Sequence, residues 1–593
     1  MKIESDIRQL NTPQLRKANV ERRNNTPTTS TTATTANTSA NPNFTGGLDL
    51  FCRFLDTNQA WGANLVDLGF MVAPRTITDF SRGANAGVET LRREGFGNAN
   101  HSMIGLYGTL AGLMLATGIN GAYNLGKDDV KANSIFADSE TIDLQGKIYA
   151  DKLKAAAGNP SANPLREYLT ETLKNYEALK GIDEKNPKAN IWKGFSDNSV
   201  EDAVKILEQE IKKGGSKLSK EAANNIRTIL ASDTGLENTY RIVAKPGERP
   251  HSSRYSIDSV VENLYKLGKV FSKDKVIEAF QKSTDVADNV FLKALKAMNL
   301  KRSLIGIGIA SAVGISAQPL NMYLTKLKTG NSNFVGGGEE DKSFGFKVKK
   351  AAVALLFGAG VMATIGNPKN LMKNLQFKGL SPTINQFKFI YGVTIMSRFL
   401  SARNDNELKE ASFKDILGFA NWLLLGNFVQ KLVAQSFDKS LIKKSGKGAL
   451  NWITGSVLKT RDEILLKHLG KKAFDESGKA LSYSNMVKLA DSATKKTLRH
   501  LTIAQLAGYA YSGLVLGIGI PRLNIMFTKR RMAKQEAAKA AAQKATAAQQ
   551  TPAIQNTADS QAPNVAQTPQ VQAIPQCREF LATKFTSRTF LGN

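Results

Sequence analysis

"SMIGLYGTLAGLMLATGINGAYNLG", residues 102–126, runs for 25 residues without a charged side chain. As a helix it is long enough to cross a hydrocarbon core, which takes about 20 predominantly apolar residues. An apolar helix in the core of a large soluble α-protein is the alternative. Such helices usually keep a polar stripe, and this stretch has no charge on any face. Gly108 and Gly112 stand four residues apart, a spacing that weakens a soluble helix but lets helix backbones approach closely in lipid. The membrane reading is therefore preferred.

Outward from this stretch, uncharged or nearly uncharged runs recur at 303–325, 351–366, 386–397, 416–430 and 500–521. Arg302 and Lys326 bracket the first of these, and Arg499 and Arg522 the last. Small residues repeat at four-residue spacing in Gly306, Ala310 and Gly314, and in Gly513 and Gly517. Counting 102–126, this predicts about six spans, with both termini on one side. The basic exits Lys326/Lys328 and Lys529–Arg531 predict that this side is cytoplasmic, although the positive-inside rule resists placing the Lys-rich block 436–502 outside.

The fold class predicted is all-α, a polytopic helical membrane protein with an extramembranous helical domain and disordered tails. Residues 1–45 contain the Thr/Asn/Ser tract "NNTPTTSTTATTANTSANPN" and are expected to be disordered. Residues 46–101 predict amphipathic helices that lie along a surface or pack on other helices. The remaining divisions are a span at 102–126, a helical extramembranous domain at 127–302, membrane helices at 303–435, a basic block at 436–499, a span at 500–528, and a charged helix, Gln/Pro/Ala-rich linker and terminal peptide at 529–593. Within 127–302, Asn163-Pro164 and "SVED" (199–202) read as helix starts, and "TYRIVAKPGERPHSSRYS" (239–256) as a short strand and loop.

The formal charge of +29 is concentrated late in the chain: about 39 Lys and Arg against 16 Asp and Glu lie beyond residue 302. That excess suits anionic headgroups. Nucleic acid is disfavoured, since no recognisable module accompanies the charge and aromatics are sparse there. The terminal "CREFLATKFTSRTFLGN" (577–593) predicts a tethered docking peptide for a membrane surface or a protein partner. Self-association is left open.

Two endings nearly coincide: "GISAQPLNMYLTK" (314–326) and "GIGIPRLNIMFTK" (517–529). Pro319 and Pro521 each remove a helical hydrogen bond, freeing the carbonyls of Ile315 and Gly517. Asn321 and Asn524 could serve them, and Lys326 and Lys529 could anchor the exits in headgroups. This helix-exit reading competes with a transporter's paired ligand residues and with coincidence.

No catalytic signature emerges. The histidines His101, His251, His468 and His500 are scattered, which predicts surface or interface roles rather than metal ligation. Phosphate-loop and nucleophile-elbow motifs are missing, and only Cys52 and Cys577 are available for thiol chemistry. Asp67, the one acid inside an apolar stretch, is expected on the polar face of an interfacial helix. No cofactor and no metal are predicted. The function expected is a non-enzymatic membrane scaffold or interaction protein, with a small-solute transporter or channel as the alternative and a membrane-embedded enzyme third. Its location would be the inner membrane if the source is bacterial.

Overall fold

The computed structural model describes residues 47–549 apart from short internal segments, the longest being 127–137, 245–253, 331–338, 422–427 and 444–451. The N-terminal Thr-rich tract and the 577–593 peptide lie outside the described residues. Residues 1–528 form one compact unit and 529–593 a second, of which residues up to Gln549 are helical.

The first part of the chain contains α1 (Gly47–Thr57), α2 (Gln59–Asp67), α3 (Ala73–Phe80), α4 (Ala84–Ala122), α5 (Ser139–Ala156), α6 (Pro164–Lys174), β1 (Tyr176–Ile182), β2 (Asn190–Gly194), α7 (Asp197–Lys213), α8 (Lys220–Thr234), β3 (Tyr240–Ile242), α9 (Ile257–Phe271), α10 (Asp274–Gln281) and α11 (Val290–Thr329). There follow α12 (Phe344–Ile365), α13 (Leu371–Asn374), α14 (Ile384–Leu400), α15 (Asp405–Phe419), α16 (Phe428–Phe437), β4 (Ile442–Lys443), β5 (Val457–Leu458), α17 (Arg461–Leu469), α18 (Tyr483–Leu489), α19 (Ser492–Tyr511) and α20 (Ile520–Gln549). π-helical turns at Leu68–Val72 and Ser512–Gly519 join α2 to α3 and α19 to α20. Four helical stretches are long and apolar enough to cross a membrane: Ala84–Ala122, Val290–Lys328, Phe344–Ile365 and Ser492–Thr546.

The bundle has two halves built alike. In the first, α4 and α11 run antiparallel. Glu89 meets Asn321 at one end, a Cβ on Gly306 would lie 3.1 Å from the Gly108 backbone midway, and Tyr123 packs edge-on to Phe291 at the other end. In the second, α15–α16 and α19–α20 repeat this. Glu410 meets Asn524, Gln430 fills the space beside Gly508, and Phe437 stacks on His500. Gly108 and Gly306 let the α4 and α11 backbones close up, as their spacing predicts, whereas at Gly508 a side chain takes the space.

Two further segments cross between halves. From the second half, α14 packs on α11, with Ser397 Oγ donating to the Ile315 carbonyl at 2.7 Å. From the first, the α2–α3 segment packs on the π turn of the second, where Phe70 stacks on Tyr509 and Arg75 Nε donates to the Leu516 carbonyl at 3.4 Å. Residues 59–80 thus pack on other helices and run along the bundle. The boundary drawn at 101/102 falls inside α4, a single 39-residue helix.

Both inserts, one between α4 and α11 and the other between α16 and α19, emerge at the same end and share one hydrophobic core around Tyr149, Tyr168, Phe271, Leu465 and Leu501. The first carries a three-stranded antiparallel sheet ordered β2-β1-β3, including the strand expected near Tyr240. Asn163 caps α6 as its sequence predicts, accepting from Arg166 N at 3.1 Å. The cap of α7 is Ser196 rather than Ser199, so that helix begins earlier than "SVED" suggests.

Candidate functional site

The two faces of α4 differ sharply. Leu91, Phe96, Met103, Leu106, Leu110 and Met114 are exposed, an apolar face rising over about 35 Å at 1.5 Å per residue. At the same heights but facing inward, Glu94, Asn98, Asn100 and His101 are buried. Apolar side chains outside with charge inside reverses the soluble arrangement.

Glu94 is the hub. Arg398 Nη2 lies 3.2 Å from its Oε2, Lys414 Nζ 3.0 Å from Oε1, Arg93 Nε 3.4 Å from Oε1 and Arg75 Nη1 3.7 Å from Oε2. Arg398 Nη1 also reaches both oxygens of Asp415 at 3.2 Å. Arg75 and Arg398 come from corresponding helices of the two halves, as do Glu94 and Asp415. A Cβ on Gly97 would stand 3.7 Å from Arg398 Nη2, and one on Gly418 would stand 2.9 Å from Arg75 Nη2. Gly418 therefore makes room for the arginine contributed by the other half, whereas at Gly97 a Cβ would make only an ordinary contact. Nearby, Asp67 accepts from Asn98 Nδ2 at 3.0 Å, and His101 packs against Phe387 and Tyr391.

At the end of the bundle away from the inserts, two latches close the halves. Asn321 Nδ2 donates to the Glu89 carbonyl at 3.3 Å and Thr325 Oγ1 to Glu89 Oε2 at 3.4 Å, while Arg403 reaches Glu89 Oε1 at 3.4 Å from the other half. Asn524 Nδ2 donates to the Glu410 carbonyl at 3.0 Å and Thr528 Oγ1 to Glu410 Oε2 at 2.9 Å, while Arg82 reaches Glu410 Oε1 at 2.6 Å, again from the other half. The repeated Leu-Asn-x-x-x-Thr is the latch.

The repeated endings therefore act differently from the helix-exit expectation. The Ile315 carbonyl freed by Pro319 is taken by Ser397, and Asn321 serves Glu89. The helix continues past Pro319 to Thr329, with Lys326 exposed in its last turn. Pro521 lies just after the π turn and is buried, and Lys529 is exposed within α20. Asp67 and His101 are buried in the bundle, not on an interfacial or surface face.

The charged centre was missed because each member was read alone. The signal was a second repeat. Glu89-x3-Arg93-Glu94-x2-Gly97-x-Ala99-Asn100 corresponds to Glu410-x3-Lys414-Asp415-x2-Gly418-x-Ala420-Asn421, with Arg82 and Arg403 each seven residues before the first glutamate. Among the described residues no group of three or more His, Cys, Asp or Glu side chains could hold a metal ion. In comparisons with known proteins, the chain matches no family model, no curated protein and no solved structure.

Proposed function

We propose that the protein is a multi-pass membrane carrier for a small solute, with the solute path along the junction of its two halves. One observation carries this reading: charged side chains from both halves converge on Glu94 behind an outward apolar face. Ionisable groups at membrane depth are expensive and mark pathways. Parallel repeats related by an axis along the membrane normal place solute sites at their interface. Both inserts leave from one end and both latches close the other, which fits such an axis. The latches would then hold one mouth shut.

The scaffold reading is second, favoured by the shared core of the two inserts, which forms a broad lobe at one end of the bundle.

A test independent of solute separates the two. In a variant with Cys52 and Cys577 replaced, single cysteines at Asn98 and Thr394 are probed in proteoliposomes with an impermeant maleimide. A carrier exposes both positions to each side in turn, so labelling occurs from either face. Protection from both faces sinks the carrier and leaves the scaffold.

A further inference from the structure

The buried carboxylates at the centre of the junction are not held alike. Glu94 has Arg75, Arg398 and Lys414 within 3.7 Å, and Asp415 accepts from Arg398 through both oxygens at 3.2 Å. Asp67 is as deeply buried, at 4% exposure, yet among the described residues no Lys or Arg stands at ion-pairing distance from it. Its one protein donor is the neutral amide of Asn98, Nδ2 at 3.0 Å. Its side chain does not cap the π turn that follows, and that turn brings no ionisable group. Arg75 of α3, Glu94 of α4, and Arg398 and Tyr391 of α14 face it from farther away. On α1, which also packs against α2, Arg53, Asp49 and Asp56 are turned to Asp462 and Arg461. A buried carboxylate held by one neutral donor is strongly disfavoured, and protonation removes that cost. One turn beyond Asn98 on α4, His101 is 1% exposed, and neither ring nitrogen has a protein partner among the described residues. Protein contacts therefore leave buried polar groups unsatisfied on this side of the junction.

We infer that Asp67 is a proton-binding site, taking up and releasing a proton as the carrier cycles. Uptake from water at one mouth forms an O–H bond on one carboxylate oxygen, and release breaks it and returns the proton to water at the other. The second oxygen goes on accepting from Asn98, so both forms fit the same packing. This deepens the carrier reading by naming the proton as its coupling ion. It rests on that reading for coupling, not for proton binding.

The test uses the full-length protein in neutral detergent, with infrared difference spectra recorded across a pH titration in H2O and D2O. The carbonyl band of a protonated acid reads carboxyls alone, and exposed carboxyls are ionised above about pH 5. The wild type should keep a deuterium-sensitive band above that pH and lose it reversibly by about pH 9. Asp67→Asn should abolish the band. Asn98→Leu removes the donor to the ionised form and should carry the band about one pH unit higher, the worth of a hydrogen bond to a charged group. If Asp67→Asn fails to fold, that upward shift decides alone. No titrating band, a band that survives Asp67→Asn, or no upward shift in Asn98→Leu overturns the inference. A band indifferent to pH also overturns it, making Asp67 a permanently protonated structural acid. In proteoliposomes the ratio of Thr394→Cys labelling from the two faces should change with pH and stay fixed once Asp67→Asn is added; a ratio that ignores pH overturns the coupling. A titrating band without two-sided labelling keeps the proton site and removes the carrier; two-sided labelling without a band does the reverse.

Discussion

The latch at Glu89 and the latch at Glu410 share a plan but not an environment. At the first, Arg403, Glu89 and Glu407 are 3%, 5% and 8% exposed, and Arg403 holds Glu407 through Nε and Nη2 at 2.9 and 2.8 Å. At the second, Arg82 and Glu410 are 12% and 13% exposed, with Asp79 3.6 Å from Arg82. Two carboxylates share one arginine in each. The difference is water. A drier ion pair loses more when one partner is removed, because the other is left charged and unsolvated. Divergence between the halves has thus kept the connections and changed their depth, giving one firm closure and one looser closure at the same end.

The largest expected effect lies between the latches, at the hub. Glu94→Gln takes the carboxylate from Arg75, Arg93 and Lys414 and leaves Arg398 with Asp415, and breaking a buried pair by removing one partner costs about 3–5 kcal/mol. Thermal unfolding in detergent should show a loss larger than that of either latch variant. A Glu94→Gln protein as stable as wild type would mean that the centre is already hydrated, and the contrast between dry and wet closures would lose its basis.

Next come the latches themselves. Glu89→Gln should cost about 2–3 kcal/mol and Glu410→Gln about 1 kcal/mol, following the range for charged hydrogen bonds from buried to partly hydrated sites. Hydrogen exchange should then show faster opening near Arg403 than near Arg82 in the respective variants. Equal losses, or a larger one at Glu410, would reverse the ranking by depth.

The bundle's helices were legible in the chain because charge exclusion over 20 or more residues is a strong local signal. α12 appears close to where its apolar run predicts, whereas α11 contains the run 303–325 but begins at Val290, so the boundary drawn at 302/303 falls inside it. α4 was half legible: its apolar end at 102–122 announced itself, while its charged end at 84–101 read as a separate surface helix. A candidate span is recognised by charges it lacks, so a helix that buries charges such as Glu89 and Glu94 escapes the rule. Arg75, Glu94 and Arg398 are separated by up to 323 positions in the sequence, and only the correspondence of α4 with α15 links them. The ending Leu-Asn-x-x-x-Thr was legible as a repeat, but its partner, the carboxylate at Glu89 or Glu410, lies on another helix. Local chemistry assigned Asn321 to the nearest freed carbonyl; packing gave that carbonyl to Ser397.

The smallest effects are in the inserts, where pH separates two ionisable sites. Burial opposes ionisation of Asp462, but Arg53 and Arg227 outweigh it and hold its carboxyl below the usual range. This joint between α1, α8 and α17 therefore contributes stability at neutral pH and loses it as pH falls through the carboxyl's lowered value. Lys266 in α9 behaves in the opposite pH range. Burial lowers its pKa to about 8 against the pull of Glu262, whose Oε2 lies 3.7 Å from its Nζ. In the unfolded chain the same lysine titrates near 10.5. Between those values the unfolded state holds more protons than the folded one, so stability rises with pH across that window. Lys266→Met removes a buried ammonium while keeping the stem's volume. The variant should gain on the order of 1 kcal/mol at pH 7 and lose the rise in stability between about pH 8 and pH 10. Unfolding followed across that range for both proteins checks this. A parallel rise in Lys266→Met would assign the alkaline gain to another group.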